Sequence, residues 1–156
     1  MFKKLFGGGK KEEEKPHNIL TVVVHEMRDM KRTKLLHDPN SFIQLRMIAK
    51  NGKKPAFKKA ARTGTIKGNL HPRWEQTFKI EVGNPFDEIL QIDLYDVGAV
   101  FGGEEDMGNA FVPLETLTAT PTIDAFYIIQ SLDTRMELGK LHLTLTYEGF
   151  GAVPAP

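Results

Sequence analysis

From Leu141 to Tyr147 the chain reads Leu-His-Leu-Thr-Leu-Thr-Tyr, apolar and polar residues in strict alternation. Successive side chains of a strand point to opposite faces, so this spacing describes a strand with one face in a core and one in water. The same period recurs upstream. Ile89–Tyr95 sets Leu90, Ile92 and Leu94 against Ile89, Gln91 and Asp93, and Trp74–Val82 places Trp74, Phe78 and Ile80 on one side. Phe42–Ile48 alternates around polar neighbours, and Ile19–Val24 is rich in β-branched residues. Asn51-Gly52, Gly83-Asn84-Pro85 and Gly102-Gly103 supply turns between these runs. No stretch holds a helical period over three turns, although Leu114–Leu117 suits a single turn. About eight short strands in a chain of this length predict an all-β fold, an antiparallel sandwich or barrel.

The 156 residues are enough for one domain with a real core. Cysteine is absent, which excludes disulfides and thiolate metal sites and suits a reducing compartment. No apolar run approaches the ~20 residues of a spanning helix, and the start lacks the apolar stretch of a signal peptide. Phe2 follows Met1 and the end carries no Cys, so lipidation signals are missing too. The expectation is a soluble, cytoplasmic chain. Net charge is +1, which argues against nucleic acid as a partner. The charges are nonetheless segregated. Lys50, Lys53, Lys54, Lys58, Lys59, Arg62 and Lys67 follow one another without an intervening acid. Asp87, Glu88, Asp93, Asp96, Glu104, Glu105 and Asp106 follow one another without a base, which predicts a positive face and a negative rim.

Residues 1–17 read as a tail. Phe2, Leu5 and Phe6 share one side of a helical turn beside Lys3 and Lys4, but Gly7-Gly-Gly9 ends it. A helix that short does not hold in water, so the segment is either a polar leash or a turn formed only when Phe2 and Phe6 enter a membrane.

Several segments in order resemble one family. They are Leu20-x-Val22-x-Val24-x-x-Met27-x-x-Met30, Phe42-Ile-Gln-Leu45, Thr63-Gly-Thr-Ile-Lys-Gly-Asn-Leu-His-Pro-Arg-Trp-Glu-Gln-Thr-Phe78, Leu90-x-Ile92-x-Leu94-Tyr-Asp96, Met107-Gly108 with Val112-Pro-Leu114, and Gly139-Lys-Leu-His-Leu-Thr-Leu-Thr-Tyr147. Together they resemble the C2 domain over residues 18–148, leaving 149–156 as a C-terminal tail. The resemblance implies an eight-stranded antiparallel Greek-key β-sandwich. The Gly139–Tyr147 strand comes last, which implies the type II permutation with both termini at one end. Trp74 and Phe78 then fill the core.

Calcium-binding members of that family gather aspartates from two loops, because Ca²⁺ takes about 6 to 8 oxygen ligands. Carried onto this sequence, the first aspartate slot falls on Lys34, the second on Asn40, the third on Asp96, the fourth on Gly98 and the last on Glu104 or Glu105. Asp96 and one Glu remain, with Asn40 as a neutral oxygen and Asp38 as a displaced substitute. An ammonium in the first slot opposes a cation, so the expectation is no calcium cofactor. The alternative is an irregular weak site of Asp38, Asn40, Asp96, Glu104 and Glu105, joined by Asp106.

The strand pair around Lys53 to Lys67 matches the place where many C2 domains carry a lysine-rich, phospholipid-binding patch. The lysines attract anionic lipid, and an apolar tip of Val100 and Phe101 supplies insertion, with Phe2 and Phe6 in support. Glu104, Glu105 and Asp106 beside the tip oppose it. The expected function is reversible, calcium-independent attachment to anionic membrane phospholipids. Two readings stand beside it: a protein-interaction or scaffold module within a larger assembly, and a weak calcium-dependent lipid binder. An enzyme is not expected. His17, His25, His37, His71 and His142 lack metal-ligand spacing, and no nucleophile elbow or phosphate loop is present.

Overall fold

A computed structural model of the chain describes residues 18–31, 38–52, 54–98 and 103–149. The tails, Lys34, Lys53, Val100, Phe101, Phe2 and Phe6 lie outside the described residues. The strands are β1 (Asn18–Arg28), β2 (Ser41–Ala49), β3 (Ala61–Arg62), β4 (Arg73–Val82), β5 (Glu88–Val97), β6 (Glu104–Pro113), β7 (Thr122–Ser131) and β8 (Glu137–Gly149). A short helix α1 (Glu115–Ala119) follows β6. Hydrogen bonding runs in the order β3-β2-β5-β6-β7-β8-β1-β4, every pair antiparallel.

The alternation in the sequence is what folds this order over on itself. Leu20, Val22 and Val24 of β1, Leu141, Leu143 and Leu145 of β8, and Trp74, Ile80 and Val82 of β4 are buried on one sheet. Ile43, Leu45 and Met47 of β2 and Leu90, Ile92 and Leu94 of β5 face them from the other. Each such side chain contributes about 1.5–3 kcal/mol when removed from water. Leu114 and Leu117, on either side of the start of α1, are fully buried in the same core. The two sheets are joined edge to edge by the short β6–β7 pairing of Gly108 with Ser131 and Asn109 with Gln130. Gly108 is required there, since a Cβ would lie 2.4 Å from the Gln130 carbonyl oxygen.

β1 and β8 pair along their length, with Asn18 opposite Gly149, so the ends of the domain lie side by side as the permutation implied. The other end gathers the connections. Met27 N–H donates to Pro72 O (2.9 Å), Asn69 N–H to Pro39 O (3.1 Å), Val97 N–H to Asn40 O (2.8 Å), Lys31 N–H to Leu138 O (2.8 Å) and Leu132 N–H to Met107 O (3.1 Å). The β1–β2, β3–β4 and β5–β6 connections and the β7–β8 hairpin therefore form one surface.

One expectation is corrected. The lysine-bearing segment is not a strand pair: residues 54–60 carry no regular structure, β3 is two residues long, and Ile66 makes only an isolated bridge to Ser41. Pro55 has no N–H to donate, and the run of lysines and alanines has no alternating apolar face to hold it down. Phe42 is buried, but outside the central cluster. Ile43, Leu45 and Met47 take the core side of β2, while Phe42 lies on the outer side, buried by stacking on Tyr95.

Candidate functional site

At the loop end, four of the five residues of the weak cation site, Asp38, Asn40, Asp96 and Glu104, are engaged by the protein itself. Asp96 is 3% exposed, and its Oδ1 accepts the Asn40 backbone N–H at 2.8 Å. Asn40 in turn donates from Nδ2 to the Val97 carbonyl (3.0 Å) and accepts the Gly68 N–H on Oδ1 (2.8 Å). These two residues thereby stitch together three loops. A short polar side chain that bonds backbone groups suits such a junction. Asp38 is half-buried and engaged within the chain. Glu104 is turned to the side, where both carboxylate oxygens accept Arg62 Nη1 at 3.0 and 3.1 Å. Glu105 is exposed and stands opposite Asp96 in the β5–β6 register. Among the described residues, no three His, Asp or Glu side chains form a group that could hold a metal ion.

The segregated charges interlock rather than forming separate faces, and this changes the basic patch. Arg62 donates from Nε to Gln44 Oε1 (2.8 Å), binds Glu104, and lies 4.7 Å from the Phe42 ring centroid and 5.7 Å from that of Tyr95. It caps an aromatic stack whose centroids are 5.0 Å apart. Lys50 is paired with Glu115. Lys54, Lys58, Lys59 and Lys67 are exposed and have no ion pair among the described residues. Four of the predicted cations are therefore available, and two are spent inside the fold. The pairing of Arg62 with Glu104 also removes part of the acidic repulsion expected beside the tip.

Two further residues join this edge. The 54–60 segment crosses toward β4, leaving a cleft of ≈ 110 Å³ lined by Phe57, Lys59, Ala60, Ala61, Lys79, Ile80 and Glu81. Lys79 escaped the sequence reading because an isolated Lys on the polar side of a strand looks like any solvated residue. Phe57 escaped because it sits in a run with no period.

On the outer face of β5 and β6 lie two neighbouring carboxylates, Asp93 buried beneath Arg46 and Asp106 half-buried. Asp93 is fully buried; Oδ1 accepts Gln91 Nε2 (2.8 Å), and Oδ2 lies 3.6 Å from Arg46 Nε with no hydrogen bond. Burial, and then the charge of Asp93, push the Asp106 carboxyl above its ordinary 3.8. Burial and the same two acids push the Tyr95 hydroxyl up. A carboxyl raised in the folded state favours the protonated fold, so stability falls as pH rises from 3.8 through the raised value. Asp106→Asn should remove that slope and raise the urea midpoint at neutral pH, read from unfolding curves across acid and neutral pH.

Comparison with known proteins decides the family. The C2 domain model matches residues 18–129, most of the chain. The chain belongs to the C2 domain family. Over 144 residues this C2 domain is 26% identical to Synaptotagmin-3 of Arabidopsis thaliana, covering 88% of the chain and 25% of that protein. Over 146 residues it is 29% identical to the Calcium-dependent lipid-binding protein of Arabidopsis thaliana, covering 88% of the chain and 26% of that protein. The chain thus spans about a quarter of the length of the curated relatives it matches. A solved C2 domain of plant Extended Synaptotagmin 1 superposes with a TM-score of 0.70 at 22% identity, covering 89% of the chain and all of that domain, which shows the shared fold.

Proposed function

We propose that this C2 domain attaches reversibly to anionic phospholipid membranes without calcium. The observation that carries the reading is the edge formed by Lys54, Lys58 and Lys59, exposed and unpaired among the described residues, with Lys67 beyond it. Each lysine near an anionic leaflet contributes about 1 kcal/mol, so the three of the edge supply about 3 kcal/mol, enough for reversible association once an apolar contact joins them. Val100 and Phe101, with Phe2 and Phe6, are proposed as such contacts. The relative whose name is Calcium-dependent lipid-binding protein supports lipid as the ligand class.

Calcium is left out of the proposal for a local reason. Lys34, Asn40 and Gly98 stand in three of the ligand positions that the family resemblance assigns, Asp96 is engaged by the Asn40 N–H, and Glu104 is engaged by Arg62. The chain is proposed to act as a binding module, peripheral to a cytoplasmic membrane or part of a larger assembly. Vesicle co-sedimentation tests the reading. The chain should pellet with phosphatidylserine vesicles and stay in the supernatant with pure phosphatidylcholine; equal behaviour with both removes the anionic specificity, and no pelleting with either removes the membrane.

A further inference from the structure

β4 is the last strand of the hydrogen-bonded order and pairs on one side only, with β1. The segment around residues 54–61 faces its other side across a cleft, and Gly64 N–H reaches the Gln76 side chain (2.8 Å), but among the described residues no backbone hydrogen bond joins either to β4. A row of strand donors and acceptors without a ladder is a template for a further strand. Glu75 adopts φ 49° where the β1–β4 register shifts, so the regular stretch of this open edge runs from Gln76 to Val82, with Ile80 and Val82 buried and Phe78 half-buried.

The outer face of the edge carries Arg73, Glu75, Thr77, Lys79 and Glu81, all exposed. Their order is self-complementary. When the strand runs antiparallel to a copy of itself about a two-fold axis at Thr77, Arg73 stands opposite Glu81, Glu75 opposite Lys79 and Thr77 opposite Thr77, and symmetry makes each ion pair twice. Moving the axis one residue either way sets Arg73 against Lys79 or Glu75 against Glu81, and like charges directly opposite destabilise a sheet. On the other face the same axis brings the half-buried Phe78 onto Gln76 of the second copy.

We infer that β4 is a dimerisation edge, occupied by β4 of a second copy of this chain, antiparallel about Thr77. The surrounding charges permit it. Lys79 and Glu81 have no ion pair among the described residues. Arg73 donates to Glu26 Oε1 and to Glu75 Oε2 (both 3.0 Å), Arg28 holds the other Glu26 oxygen (2.9 Å), and Glu75 Oε1 lies 2.7 Å from His25 Nδ1. With His25 neutral, two acids there balance two arginines, so Lys79 and Glu81 of the second copy join a network without net charge. Lys59 lines the cleft beside Glu81, and Lys54 and Lys58 belong to the same segment. Glu81 is four residues along from Thr77. At about 3.3 Å per residue the two lysine segments then lie roughly 26 Å apart, well beyond the screening length of about 8 Å.

The chain has no cysteine, so single cysteines test the register. Directly opposed residues of an antiparallel pair have Cα atoms about 4.5–5.5 Å apart, within disulfide reach, whereas Lys79 and its copy would stand about 13 Å apart. With copper phenanthroline and dioxygen as the oxidant, Thr77→Cys should give a covalent dimer and Lys79→Cys should not. Sedimentation velocity of the wild-type chain, without lipid, should show a weak, concentration-dependent dimer. The Lys79→Glu, Glu81→Lys double variant keeps the net charge but sets like charges opposite at every pair. It should associate about a hundredfold more weakly, with an unchanged urea midpoint. A wild-type chain that stays monomeric to submillimolar concentration, with Thr77→Cys cross-linking no faster than Lys79→Cys, overturns the inference. So does a dimer that the double variant keeps, since it uses another surface, or one that Lys79→Cys cross-links and Thr77→Cys does not, since its axis lies elsewhere.

Discussion

Replacing Lys54, Lys58 and Lys59 together by alanine should weaken binding to phosphatidylserine vesicles about a hundredfold, from roughly 1 kcal/mol for each lysine near the surface. The three side chains are exposed in the segment without regular structure, so their removal leaves the core untouched. The urea midpoint should stay where it is. The same loss should appear for the wild-type chain as salt is raised, since the screening length shortens from about 10 Å at 0.1 M to about 3 Å at 1 M. Arg62→Ala and Lys50→Ala are the informative comparisons. Both belong to the same run of basic residues in the sequence, but Arg62 is spent on Glu104 and the Phe42–Tyr95 stack, and Lys50 on Glu115. Their removal should cost less vesicle binding than any of the exposed lysines, and Arg62→Ala should lower stability by loosening β3 from β2. Equal losses for all five residues would mean that the internal pairs do not hold in solution.

Asp96→Ala should destabilise the domain by about 1–3 kcal/mol. The buried carboxylate accepts the Asn40 N–H, and deleting it leaves that donor without a partner at the junction of three loops. Urea unfolding reads this as a lower midpoint. The prediction separates two roles for one residue. A structural Asp96 makes the variant less stable with or without calcium, and titration calorimetry at millimolar Ca²⁺ shows no saturable heat for either protein. A ligating Asp96 gives a saturable heat in the wild type that the variant abolishes, and calcium then raises the wild-type midpoint alone.

The contrast between these two sites explains what the residues disclosed in advance. Core strands were readable because burial acts on one face only: Leu90, Ile92 and Leu94, or Leu141, Leu143 and Leu145, carry their position in their spacing. β7 was not readable in the same way. Thr122–Ser131 has Ile123, Tyr127 and Ile129 toward the core but also Phe126 and Ile128 outside, so the period is filled in on both faces. Pairings between distant residues left no trace in local pattern. Arg62 reads as one more cation in a basic run, and only the fold brings Glu104, 42 positions away, to its guanidinium. What was legible about calcium was residue type at the positions that the family resemblance assigns, with Lys34 and Gly98 in two of them. The engagement of Asp96 by a backbone N–H was not, because backbone donors have no sequence signature. The lysine segment was misplaced onto strands for a similar reason, since family position suggested a ladder that Pro55 and the missing apolar alternation do not support.

Co-sedimentation of the chain with phosphatidylserine vesicles, run in parallel with calcium and with a chelator, bears most directly on calcium-independent membrane attachment. The bound fraction should be the same in both and should fall with salt. Binding that appears only with calcium, or no binding in either condition, would contradict it.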